Sequence, residues 1–178
     1  YVGFRTDIFD QEEAKSKKKE PPKQKFIEFD STKSIFDEYY ADAPAQYATA
    51  NETPTKKWAN VRTKLSDLDT TRLHYVKVPE NHIVIDFDIK DESGKKSFEK
   101  NVEEASKWPA TYAELSKSGA GVHLHYLYTG DPSKLARVYA DSIEVKVFNG
   151  DGSLRRKLTK CNSLPIASIS SGLPLKGD

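Results

Sequence analysis

The strongest alternation along the chain is in residues 82–91, HIVIDFDIKD, where Ile83, Ile85, Phe87 and Ile89 interleave with Val84, Asp86, Asp88 and Lys90. A period of two predicts a β-strand with one buried face. Asp86, Asp88 and Lys90 then share the opposite face. At a rise of about 3.3 Å per residue, the two aspartate Cβ atoms stand roughly 6–7 Å apart. Further apolar alternation predicts strands over residues 122–128 (VHLHYLY) and 143–148 (IEVKVF), and shorter ones over 26–29, 111–115, 154–159 and 166–169. Residues 1–10 have the makings of another.

Helical spacing occurs in three places. Residues 97–108 place Phe98, Val102, Ala105 and Trp108 on one stripe, and Pro109 ends the run. Residues 58–68 carry apolar side chains at 58, 61, 65 and 68, which predicts an amphipathic helix with Trp58 in the core. Asp131 followed by Pro132 is an N-cap acid with proline at the first helical position, and predicts a helix through Tyr139. Residues 34–40 suit a short helix, and 41–55 a loop. Turns are expected at 91–94, 118–121 and 149–152, the last a hairpin turn leading to a return strand at Leu154. Residues 11–25, QEEAKSKKKEPPKQK, have charge but no apolar period and read as a mobile loop, with Lys17, Lys18 and Lys19 solvated. From Val84 onward the order is strand, helix, strand, turn, strand, helix, strand, hairpin, strand. That order predicts one α+β domain across residues 1–178, with a largely antiparallel sheet and helices packed on one side.

Composition narrows this picture. A formal net charge of +1 removes any global field as an argument for nucleic acid or membrane, so a basic binding surface has to be local. Cys161 is the only cysteine, which excludes an internal disulfide or a cysteine-based zinc site and fits a reducing compartment. No run of eighteen apolar residues is present, so no membrane-spanning helix is expected. The start is not a signal peptide, and the chain contains no methionine, so a piece of a longer, cytoplasmic protein is expected. The Gly-x-x-x-x-Gly-Lys-Ser/Thr loop of nucleotide-hydrolysing ATPases is missing.

Four acid-x-acid pairs occur: Asp10/Glu12, Glu28/Asp30, Asp67/Asp69 and Asp86/Asp88. Only the last is followed by two further constellations. The turn Ser118-Gly119-Ala120-Gly121 runs into His123 and His125, and its glycines promise backbone N–H groups for a triphosphate or other anion. Glu144 sits mid-strand between β-branched residues, sharing a face with Lys146. A lone acid there is costly unless exposed, paired or bound to metal. Paired carboxylates suit hard cations, and two ions about 3.5–4 Å apart lie within reach of Asp86 and Asp88.

IVIDFD, SGAGVH and SIEV, in that order, resemble the three motifs of the archaeo-eukaryotic primase superfamily, in particular the primase-polymerase domains of phages and plasmids. The resemblance covers about residues 82–160 and includes the approach KWPATYAELSKSGAGVHLHYLY. It implies a mostly antiparallel, RRM-like sheet with flanking helices and an N-terminal α/β extension. It implies Asp86, Asp88 and Glu144 as catalytic ligands of two Mg²⁺ or Mn²⁺ ions, their carboxylates converging within one ion's reach. Ser118, Gly119 and His123 would hold the incoming triphosphate, with Gly121 allowing close backbone approach. Some branches place basic residues between that serine and histidine, where this chain has Ala120. The phosphate charge is then left to Lys90 and Lys146, with Arg155, Arg156 and Lys157 as DNA or phosphate contacts. The implied activity is template-dependent nucleotidyl transfer in DNA replication. The implied partners are a single-stranded DNA template, nucleoside triphosphates and a helicase domain in the same full-length chain.

His123-Leu124-His125 also resembles the metal site of rolling-circle replication initiators, with Tyr139 as the nucleophile. That alternative gives Asp86, Asp88 and Ser118-Gly119 no task. A non-catalytic nucleic-acid-binding domain is the third reading.

Overall fold

A computed structural model of the chain describes residues 27–177. The strand expected over 1–10, the loop over 11–25 with Lys17, Lys18 and Lys19, and Phe26 lie outside the described residues. The elements in order are α1 (Ile35–Tyr39), β1 (Ala45–Tyr47), β2 (His74–Val76), β3 (His82–Phe87), α2 (Phe98–Ala105), β4 (Ala113–Leu115), β5 (Val122–Tyr128), β6 (Val138–Ala140), β7 (Ile143–Lys146), β8 (Leu154–Arg156) and β9 (Ala167–Ile169). Single 3₁₀ turns stand at Trp58–Asn60, Leu65–Asp67 and Pro132–Lys134. The molecule is α+β, and its sheets are mostly antiparallel.

β3 lies in the middle of a six-stranded sheet in the order β9–β5–β3–β7–β6, with β4 pairing the same edge of β5 ahead of β9. Only the β9–β5 pair is parallel. Alternation along β3 decides what each face buries. Ile83, Ile85 and Phe87 face a core with Val102 and Ala105 of α2, Trp108, Leu124 and Val145. Val84 faces a second core with Phe36 of α1, Val76, Tyr112, Leu154 and Leu158. Each buried Ile, Val or Phe contributes roughly 1.5–3 kcal/mol of apolar burial. The second core is closed by a small antiparallel sheet, β1–β2–β8. The two helices thus cover opposite faces of the large sheet rather than one side as expected. Ser97 caps α2 by accepting from the Lys100 N–H at 3.2 Å.

Several expected elements differ, each because the backbone finds partners elsewhere. Residues 58–68 form no α-helix. The Ala45 N–H donates to Thr63 O and the Leu65 N–H to Ala43 O, so between its two 3₁₀ turns this backbone pairs with the residues leading into β1 instead of continuing as a helix. Leu65 is buried, but Trp58 is only half-buried. Residues 131–139 begin as predicted, with Asp131 capping through the Ser133 N–H at 3.0 Å, but the helix is one 3₁₀ turn. Val138 and Tyr139 then take up the free edge of β7 as strand β6. Residues 27–29 are not a strand; Ile27 is buried and its N–H donates to Ser106 Oγ at 3.1 Å. The supposed loop 41–55 contains β1. The turn at 149–152 does not return β8 beside β7: β8 crosses to the small sheet and pairs with β2. No helix among the described residues is long and apolar enough to cross a membrane.

Candidate functional site

Strand register brings the three separated motifs together. Asp86 of β3 pairs with His123 of β5 on one side and Glu144 of β7 on the other. Glu114 of β4 pairs with His123. Directly paired residues project to the same face, so Glu114, His123, Asp86 and Glu144 form one polar row across four strands. The next row is apolar at its centre: Val84 lies between His125 and Lys146. The sheets close on the Val84 row and part at the Asp86 row.

The parting is a cleft of about 200 Å³. Asp86, Asp88, Lys96, Lys117, His123 and Lys146 line it from the large sheet and its connections, and Leu73, Arg155 and Lys157 from the small sheet. Asp86 Oδ1 lies 3.2 Å from His123 Nε2 and Oδ2 3.2 Å from Lys146 Nζ. Burial pushes the Asp86 carboxyl up, but the His123 hydrogen bond and charge, with the Lys146 ammonium, more than offset it and hold the group down at about 2. Asp88 lies one residue past the end of β3, and its N–H donates to Ser142 O at 2.9 Å. Its carboxylate sits between Lys90 at 3.5 Å and Lys96 at 3.4 Å. Asp88 Oδ1 is itself buried and receives no well-directed hydrogen bond, the Lys96 ammonium notwithstanding. Glu144 is half-buried beside Arg137, with Nε to Oε2 3.4 Å. It lines an adjoining groove with Arg137 and Lys146 rather than the main cleft.

The three carboxylates therefore do not converge as expected. Asp86 and Glu144 are neighbours on one face, with Asp88 two residues along from Asp86. Each carboxylate faces a cation, and among the described residues no three metal-ligating side chains meet at one point. The donor set is nevertheless suited to a hard divalent ion: carboxylate oxygens only, one of them buried without a donor.

The glycine turn differs from expectation. Gly119 has φ +81° and so requires glycine or a strained residue. A Cβ on Gly121 would lie 3.0 Å from Ser116 Oγ and 3.2 Å from Phe87 O. The N–H groups expected to be free are used inside the turn: Gly119 donates to Ser116 O at 2.9 Å and Gly121 to Ser116 Oγ at 2.9 Å. The Ala120 N–H lies 3.4 Å from Ser118 Oγ. Ser118 Oγ also shares a 3.0 Å hydrogen bond with Ser116 Oγ. Ser116 and Lys117 line the cleft, whereas Ser118 and Gly119 do not.

Arg156 is not an exposed phosphate contact. It is buried, with Nη1 2.7 Å from Asp37 Oδ1, Nε donating to Glu114 Oε2 at 2.8 Å, and its guanidinium 4.3 Å over the Phe36 ring. Alternation along β8 turns Arg155 and Lys157 outward and Arg156 inward. Glu114 is equally buried; burial raises its carboxyl, but Arg156 and His125 hold it well below the usual carboxylate range. A polar chain continues inward from it. His125 Nε2 lies 3.5 Å from Glu114 Oε1, at the outer limit of a hydrogen bond. His125 Nδ1 is 2.9 Å from His82 Nε2, and His82 Nδ1 is 2.7 Å from Tyr40 Oη. Burial pushes both imidazoles below their ordinary value.

This chain fixes His125 as a core residue, and Tyr139 packs on Trp108 with ring centroids 4.8 Å apart on the opposite face of the sheet. The residues that a rolling-circle initiator would need are not brought together. The sequence pattern does not single out Lys96, Lys117 or the Glu114–Arg156 pair. Glu114, a mid-strand acid like Glu144, carried the same signal. Neither the models of known protein families nor the curated proteins include a match to this chain.

Proposed function

We propose that the protein is a metal-dependent nucleotidyltransferase of the primase-polymerase type, extending a nucleic acid chain on a single-stranded DNA template during replication. One observation carries the reading. Motifs separated by about thirty and twenty residues in sequence lie side by side, Asp86 being paired with His123 and Glu144 at the lip of a cationic cleft. The mostly antiparallel α+β architecture, with β3 central between β5 and β7, supports this reading at the level of fold class.

Asp86, Asp88 and Glu144 would hold Mg²⁺ or Mn²⁺, which supplies Lewis-acid stabilisation of charge developing on a transferred phosphoryl group. His123 stands beside Asp86, where its Nε2 can donate to a triphosphate oxygen once the carboxylate is otherwise engaged. Lys146, Lys96 and Lys90 compensate phosphate charge at the floor and flank of the cleft. Arg155 and Lys157 present an exposed basic edge to a strand, where phosphate contacts give a salt-dependent affinity. On this reading the partners are a single-stranded template, nucleoside triphosphates and a helicase domain in a longer chain, and the compartment is the cytoplasm, that of the host if the protein is viral.

The test is primer extension on a single-stranded template with Mg²⁺ or Mn²⁺. Asp86→Ala and Glu144→Ala are each expected to lower the rate by at least about 100-fold, the scale of losing one charge-stabilising group at a transition state. Undiminished extension by Asp86→Ala would remove the metal-site argument.

A further inference from the structure

Glu52, on a loop of the small sheet, meets two of the residues that line the cleft. The loop leaves β1 through the Ala48–Pro54 bridge and is closed by Thr49 N–H to Thr53 O at 2.7 Å and Glu52 N–H to Thr49 O at 2.9 Å. Gln46 Oε1 anchors the outgoing arm, accepting from the Thr55 and Lys56 N–H groups at 2.9 and 2.7 Å. The Tyr75 hydroxyl donates to Glu52 O. Glu52 has φ +61°, a conformation that glycine or asparagine takes up more readily. The residue there is an acid, and its Oε1 meets two cations distant in sequence: Lys117 Nζ at 3.3 Å and the Arg155 guanidinium. Lys117 and Arg155 line opposite walls of the cleft.

We propose that Lys117 and Arg155 form a phosphate-binding subsite of the cleft, and that in the free protein the Glu52 carboxylate occupies it as a stand-in for the phosphate. Arginine recognises carboxylate and phosphate oxygens through the same fork of N–H donors. A half-exposed carboxylate pair is weak enough to be exchanged for an anion of higher charge. Lys157 projects outward on the same face of β8 as Arg155 and has no ion pair among the described residues, so it adds a further positive charge for the incoming group. Entry of the phosphate displaces Glu52 and frees its loop. The inference rests on the polymerase reading only for the source of the phosphate, which is a nucleotide's triphosphate tail or the backbone of a template strand.

The experiment is calorimetric titration of the full chain with inorganic tripolyphosphate, and separately with a single-stranded oligodeoxythymidine, without metal and at low salt. If Glu52 fills the subsite about 80–90% of the time, Glu52→Gln tightens binding about 5- to 10-fold. The Lys117→Ala/Arg155→Ala pair weakens binding and abolishes the effect of Glu52→Gln. A gain confined to tripolyphosphate assigns the subsite to the nucleotide, and one confined to the oligonucleotide assigns it to the template. The proposal is overturned if Glu52→Gln tightens neither ligand, if the gain persists without Lys117 and Arg155, or if Glu38→Gln on α1 gives the same gain through net charge alone. Because no turnover is measured, a protein that shows the Glu52 effect but never polymerises contradicts the polymerase reading alone. One that polymerises without a Glu52 effect contradicts the subsite alone.

Discussion

Asp86 is held by His123 and Lys146 at the half-buried lip of the cleft, whereas Glu114, its near neighbour in the same row, is sealed beneath it with Arg156. The two acids therefore respond differently to neutralisation. Asp86→Asn leaves the Lys146 ammonium and the His123 ring where water can still reach them, and its melting temperature is expected within a few degrees of the wild type. Glu114→Gln leaves the buried Arg156 charge with Asp37 alone and is expected to cost about 3–5 kcal/mol, read by urea denaturation. The buried imidazoles add a pH effect. His82 and His125 have folded-state values below their unfolded ones, so the unfolded chain binds more protons as pH falls through about 6.5. Stability is then lost on going from pH 7.5 to 5.5, while the depressed Glu114 carboxyl titrates below that window. Equal denaturation midpoints at the two values would show that the imidazoles do not contribute. At this scale Asp86, Glu144 and His123 were legible because each breaks an apolar alternation. The inward turn of Arg156 was not, because alternation separates it from Arg155 and Lys157 without saying which side is buried.

The strands carrying the three motifs, β3, β5 and β7, and the helix α2 were legible as elements, since each repeats its period often enough to be read. β1, β2 and β6 have three residues each, too few to show a period. Their places are set by which backbone edges need partners, a tertiary fact. The 58–68 stretch shows the same physics in reverse: its apolar spacing suits a helix, but its middle pairs with the residues leading into β1, leaving only a 3₁₀ turn at each end. The β4–β5 turn was recognised by its glycines, though for the wrong use. Its N–H groups close the turn and so hold β4 and β5 in register. Gly121→Ala places a methyl group against Ser116 Oγ and the Phe87 carbonyl and is expected to cost about 1–3 kcal/mol. Gly119→Ala meets open space and pays only for its φ, about 1–2 kcal/mol. A larger cost for Gly119→Ala than for Gly121→Ala would contradict this account of the turn.

The described residues form two cores divided by one strand. β3 gives Ile83, Ile85 and Phe87 to the first and Val84 to the second, so neither core outlasts the loss of β3. Unfolding is expected as one transition, with tryptophan fluorescence and far-ultraviolet circular dichroism coinciding. The same division produces the site, for the sheets diverge where apolar Val84 gives way to Asp86, and cations gather at the opening. With a net charge of +1, any attraction for an anionic strand would have to come from this cleft and not from the molecule at large. The central claim is that the Asp86 row transfers nucleotides under the direction of a template. The most direct measurement is single-nucleotide addition to a primer opposite each of the four template bases, with Mg²⁺ or Mn²⁺, for the wild type and Asp86→Asn. The account predicts addition of the complementary nucleotide by the wild type and its loss in Asp86→Asn with the fold retained. Addition that ignores the template base, or that survives in Asp86→Asn, would contradict it.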